Sequence, residues 1–398
     1  MSYKFKFTSI LFLISSFGEG CKQLPLTNTS GTKSEQSQDS RTSCPAGFDE
    51  LLCSYTTQMA YMSRRAVADK GDPQCRRHPD DPYDGGTVFR NGRDTGLCVK
   101  KSLQRPLVWL KPEEAADFGF TPDNNHIVVA GIEDIGETNV VARIPFRSIK
   151  DIYMHSESFT LGGYHAQMRM TFSEPVQMRP QYPASANAPI LESNDLIFSI
   201  TATTADKDHN GATVTSLDSN RLQDGSFGIV YSGITLRQRI SYSWIKQGNT
   251  ISQMRLKLYP QQNPNDNIGA IKILLNYLDT GEKTGQDNPP YFHILNENCY
   301  TQQMRNLSRS IGTEPPVPVA ASWRPSENGW LFQGVLSTFT AENLGQTYPQ
   351  FALMWNALAK RGLIDENSKA KTLHEEFPEI VKELCANPPV PVKAGSCP

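Results

Sequence analysis

From residue 106 to about residue 260, apolar side chains gather into short strand-like runs. The runs HIVVAGI, NVVARIPF, GYHAQMRMTF, LIFSITATTA, FGIVYSGITL, ISYSWI and QMRLKLYP are rich in β-branched and aromatic residues. Polar stretches divide them, so they predict the strands of one antiparallel sheet. The period then changes: Ile268, Ile271, Leu274, Leu275 and Leu278 fall at helical spacing. Tyr291, Phe292, Ile294 and Leu295 read as a short buried strand, followed by Asn296 or Asn298 as a helix N-cap and a helix from Cys299 to Leu307. A further helix, about Gln350 to Arg361, stops at Gly362, a residue suited to a helix C-cap. The predicted class is α+β, an antiparallel sheet packed with helices. Residues 44–105 lack this periodicity and are rich in Cys, Arg, Asp, Gly and Pro; they predict a small disulfide-stapled N-terminal cap.

The N-terminus sets the compartment. Lys4 and Lys6 precede an apolar stretch, Phe7 to Phe17, that is too short to span a bilayer and suits the hydrophobic region of a signal peptide. Residues 1–20 therefore predict export to the bacterial periplasm or outer membrane. The small residues before Cys21 resemble a lipoprotein processing site, although Gly18 and Glu19 stand where a lipobox has leucine and a small neutral residue. Cys21 is the predicted lipidation site, giving a membrane anchor, and the aperiodic polar segment 21–43 a flexible tether.

An oxidising compartment changes the meaning of the eight cysteines. With Cys21 acylated and Cys299 free, Cys44, Cys53, Cys75, Cys98, Cys385 and Cys397 remain. The simplest pairing joins Cys75 to Cys98, Cys44 to Cys53, and Cys385 to Cys397 within a C-terminal tail, 366–398. No short CxxC spacing suggests a metal centre, and no cofactor is expected. The net charge of −2, without a basic stripe, argues against nucleic acid as a partner, and a monomer is expected. Asp206 to Gly211 matches the first half of a calcium loop, but Leu217 stands where the closing glutamate belongs, so a hairpin loop is the better reading.

Cys299 is the candidate nucleophile. At the start of a helix, unpaired backbone amides and the helix dipole favour thiolate over thiol; the alternatives are a buried structural cysteine or half of a disulfide. A thiol nucleophile needs a base, and seven histidines are available. His165 leads, because Tyr164, Ala166, Met168, Met170 and Phe172 alternate with His165, Gln167, Arg169 and Thr171, which places the imidazole on the polar face of a strand. His155, just before that strand, and His293 follow. His78, His126, His209 and His374 read as surface residues. Glu157, Ser199 or Thr201 could orient the imidazole, and the amide of Cys299 with Tyr164 or Asn298 could hold an oxyanion.

The order of these segments resembles a known family. Gly163-Tyr164-His165 with Arg169 lies on a strand, and Asn298-Cys299 opens a helix more than a hundred residues later. Histidine before cysteine resembles the circularly permuted papain-like proteins. Ser156-Glu157-Ser158-Phe159, Tyr291 before Asn298-Cys299, and the stretch LRQRISYSWI make the Lnb N-terminal periplasmic domain family the nearest likeness, over about residues 106–365. The resemblance implies a thioester at Cys299 with His165 as base, and a lipid-, lipoprotein- or peptidoglycan-type substrate. It favours an acyltransferase or amidase; the alternative is a lipid-anchored binding or structural protein without catalysis.

Overall fold

The computed structural model describes residues 48–55, 86–90, 93–99, 107–135, 138–158, 164–181, 184–204, 227–257, 267–284, 299–311, 358, 362–364 and 371–397. In chain order these form helix α1 (Glu50–Tyr55), strands β1 (Gly86–Arg90), β2 (Arg93–Val99) and β3 (Val108–Trp109), and helix α2 (Pro112–Ala116). Strands β4 (Ile127–Asp134), β5 (Thr138–Ile144), β6 (Ile149–Ser158), β7 (Tyr164–Pro180), β8 (Leu191–Thr204) and β9 (Phe227–Thr235) follow. Then come α3 (Leu236–Ile240), β10 (Ile251–Arg255), α4 (Ile268–Thr284), α5 (Cys299–Ile311), α6 (Leu373–Glu376) and α7 (Pro378–Ala386). Cys21, Cys44, Cys75, His293, Asn298 and the 206–211 loop lie outside the described residues, as do the signal, tether and 291–295 segments.

The class is α+β, but the sheet is mixed, not purely antiparallel. Its order is β10-β6-β7-β5-β4-β9-β8, and β8 also pairs with β7, so β7, β5, β4, β9 and β8 close a ring. A ring whose neighbours are all antiparallel needs an even number of strands. Five strands force a parallel pair, which falls between β4 and β9 at Ile132↔Gly233 and Glu133↔Ile234. The 17-residue β7 makes closure possible by serving β6 and then β5 along one edge while β8 runs along the other.

A further expectation is corrected. ISYSWI is not a strand: Thr235 caps α3 by accepting from the Gln238 amide, and the chain continues from Ile240 as a π-turn over Ser241–Lys246. A satisfied N-cap starts the helix here against the β-propensity of the aromatic residues that follow. His155 does precede β7, and it lies within a strand that the sequence had not marked, β6, which pairs with β7 from Ile149↔Phe172 to Ser158↔Tyr164.

The stretch Ala166–Met170 of β7 is buried on both faces. Met168, Met170 and Phe172 join Ile152, Met154, Leu196 and Phe198 in the main core, beneath α4 and α5. Gln167 and Arg169, on the other face, are equally buried. Beside that polar face, residues 371–397 pack Leu373 and Leu384 against Ile197, Ile234, Leu236, Ile240, Ile245 and Ile251. The segment carries the expected Cys385–Cys397 disulfide, with Cα atoms 5.7 Å apart. Cys53 is disulfide-bonded, and of Cys98 the strand backbone alone is described. Leu52 of α1, from the expected cap, is part of the main core.

Replacing Cys385 and Cys397 together by serine reopens a short loop, and chain entropy sets the cost near 3 kcal/mol. Urea unfolding without reductant checks this; a loss below about 1 kcal/mol would mean that apolar packing of Leu373 and Leu384 alone holds the segment.

Candidate active site

Pairing between β7 and β8 runs from Met178↔Leu191 to Gln167↔Ser199 and ends there. β8 continues with β9 alone as far as Thr204↔Phe227. The two strands therefore part at the level of His165 and Ala166, and the N-terminus of α5 meets them at this fork. Cys299, its first residue, is 7% exposed and is not disulfide-bonded. Its Sγ accepts a hydrogen bond from the Ala166 amide at 3.4 Å.

His165 sits one peptide away. From standard bond lengths its Cα is no more than about 6.3 Å from that sulfur. Rotation about χ1 lets an imidazole cover such a distance. In the structure, Nε2 is 2.6 Å from Ser199 Oγ. Strand alternation sends His165 and Cys299 toward opposite faces of the sheet, and a fully paired sheet would keep them apart. At the fork no β8 backbone stands between them. Burial pushes the imidazole pKa down to about 4, so the ring is neutral at neutral pH and able to accept a proton.

Of the candidates for orienting His165, Ser199 is the one placed at the ring. Glu157 is the cross-strand partner of His165, but its carboxylate is engaged elsewhere. Oε2 pairs with the buried Arg239 and accepts from Gln167 Nε2 at 2.9 Å, while Oε1 accepts from Asn249 Nδ2 at 3.1 Å. Tyr164 opens β7 opposite Ser158; its side chain and that of Thr201 lie outside the described residues.

His155 is fully buried, with Nε2 2.9 Å from Gln253 Oε1, and burial followed by the nearby Arg169 charge holds it well below its ordinary pKa. Arg169 is 4.2 Å from the Tyr153 ring centroid and 5.1 Å from that of Phe377. It donates to Glu376 at 2.8 Å and stands 3.6 Å from Asp195, whose carboxyl burial pushes up to about 6. His126, expected at the surface, is buried with its ring nitrogens 2.9 Å from Asp123 and Glu174.

Several residues of the site escaped the sequence reading: Arg239, Asn249, Tyr277 and the buried Gln302 and Gln303 of α5. A signal was present, since α5 has few apolar side chains for a helix that reaches the core. Among the described residues no group of three or more His, Cys, Asp or Glu side chains could hold a metal ion, and no helix is long and apolar enough to cross a membrane. No family model, curated protein or solved structure matches the chain.

Glu157→Ala leaves Arg239 buried without its carboxylate, and a loss of about 3–5 kcal/mol is expected in denaturant unfolding. His165 gives a pH test. Below its ordinary pKa of 6.5, the unfolded chain binds a proton that the folded ring refuses until about pH 4. Its contribution is full above pH 6.5 and is lost as pH falls toward 4, so His165→Gln should flatten the acid limb of the stability curve in that window.

Proposed function

We propose that the chain is a cell-envelope cysteine acyl-transfer enzyme, an acyltransferase or an amidase, working through a thioester at Cys299. The observation that carries this reading is the fork, where Cys299 Sγ rests on the peptide that follows His165. The Ala166 N–H and the N-terminus of the 13-residue α5 both favour a thiolate at this position.

With Nε2–H donated to Ser199 Oγ, Nδ1, the ring nitrogen nearer the backbone, takes the thiol proton. The thiolate attacks the acyl carbonyl, and His165 returns the proton to the departing amine or alcohol as the carbonyl–heteroatom bond breaks. An acceptor amine or water then attacks the thioester and gives its proton to His165, the carbon–sulfur bond breaks to release the Cys299 thiolate, and His165 returns the proton to the sulfur. The Cys299 amide is a candidate donor to the oxyanion.

A permuted papain-like domain of the Lnb N-terminal type is consistent with the histidine-strand, cysteine-helix order. The N-terminal sequence supports export and a lipid anchor at Cys21, and with them lipid, lipoprotein or peptidoglycan-type substrates. The alternative is a non-catalytic, lipid-anchored binding protein, in which the contacts of Sγ with the Ala166 amide and of Nε2 with Ser199 Oγ serve the fold alone.

Iodoacetamide labelling separates the two readings. Cys299 of the enzyme should alkylate at pH 7 on the order of tenfold or more faster than an ordinary exposed thiol, and His165→Ala should remove most of that advantage. Ordinary labelling of the native protein would leave the binding protein as the answer. Ser199→Ala should slow labelling less than His165→Ala, because the serine acts through the imidazole.

A further inference from the structure

Two carbonyls of β8 next to the fork are gripped by side chains from the neighbouring helices. Gln303 stands one turn beyond Cys299 on α5, and its Nε2 donates to Phe198 O at 3.2 Å. Tyr277 of α4 donates from Oη to Ser199 O at 2.6 Å and lies 3.3 Å from Ser232 O, bridging the rung at which β8 faces β9. Ser232 Oγ donates to the same Ser199 carbonyl at 3.1 Å.

Both side chains are fully buried, where an amide and a phenol are costly choices unless their polar groups do something. The Tyr277 ring stands edge-on to Phe198 and Tyr231, with centroids 5.2 Å and 5.0 Å away. Tyr231 in turn donates to Gln302 Oε1 at 3.2 Å, next to Gln303 on α5. The grips therefore close a loop from the cysteine helix through β8 and β9 to α4.

We propose that Gln303 and Tyr277 are positioning residues for the Cys299–His165 pair. Gln303 sets how far the cysteine helix stands from β8. Tyr277 fixes the backbone of Ser199, and thereby the direction of the hydroxyl that meets His165 Nε2. Phe198 and Ser199 are the last β8 residues paired with β7, and the two side chains add a hold from the helices to the one that β9 supplies on the other edge. This rests on the acyl-transfer reading for its chemical consequence, though not for its geometry.

The test uses the full chain with Gln303→Met, which keeps the volume, and Tyr277→Phe, which keeps the ring. Each should remain folded by circular dichroism. Iodoacetamide alkylation of Cys299 should slow on the order of tenfold to a hundredfold with a displaced pH profile, since small misplacements of reacting groups carry costs of that size. The ring nitrogen signals of His165 should show a changed tautomer balance.

Asn306→Leu is the control. Asn306 is buried on the same helix but donates to Ile273 O of α4 at 3.1 Å, so its loss should lower the melting temperature and leave the alkylation profile unchanged. The proposal is overturned if Gln303→Met and Tyr277→Phe keep the native profile and His165 signals, or if Asn306→Leu shifts them equally. Should the native Cys299 label like an ordinary thiol, the acyl-transfer reading falls, and the His165 signals still decide the positioning.

Discussion

From Ala166 to Met170 β7 has no solvent face, and much of the structure follows from that. Its apolar half needs only volume, which Met168 and Met170 fill beneath α5. Its polar half needs partners, because each buried donor or acceptor left unmatched costs about 1–3 kcal/mol. Gln167 meets Glu157, Glu157 meets Arg239 and Asn249, and Arg169 meets Glu376. Those partners come from β6, from the α3 segment and its π-turn, and from residues 371–397. The burial of one strand thus fixes where three distant parts of the chain must lie.

The same strand creates the site by ending its pairing early. While β7 and β8 are paired, residues that project to opposite faces are separated by backbone. Past Gln167↔Ser199 that barrier is gone, and a histidine from the polar face and a cysteine from the apolar face share one peptide's neighbourhood. A neutral imidazole suits this place, since the same burial that lowers its pKa makes a standing imidazolium expensive. Charge would have to appear there only during proton transfer.

What the sequence made legible follows from which side chains obey a simple period. β4, β5 and β8 carry uninterrupted apolar stretches, and α4 carries them at helical spacing, so each was readable. The Cys299 helix was readable from the helix-compatible residues that follow the cysteine. β6 was not, because Lys150, Asp151, His155 and Glu157 look like a solvated loop; the last two are in fact buried against a polar layer that only tertiary structure supplies. His165 was visible through its alternation, whereas Ser199 was one of several candidates until the register put it at the ring. Ring closure, with its parallel pair, is a property of the whole sheet and has no local signature.

The polar layer and the thiol site are coupled through alternate residues of one strand, and this bears on why Glu157 cannot be judged by proximity. It lies directly across from His165, close enough in the ladder to suggest the orienting role of a catalytic carboxylate. Yet Arg239, Gln167 and Asn249 engage its two oxygens, and turning one toward the imidazole would break that set and leave Arg239 partly uncompensated. A hydroxyl at Ser199 has no such obligation to a buried cation. The carboxylate that holds the strand in place and the hydroxyl that meets the imidazole are therefore different groups, and the division lets the strand be rigid while the imidazole faces a partner of low charge.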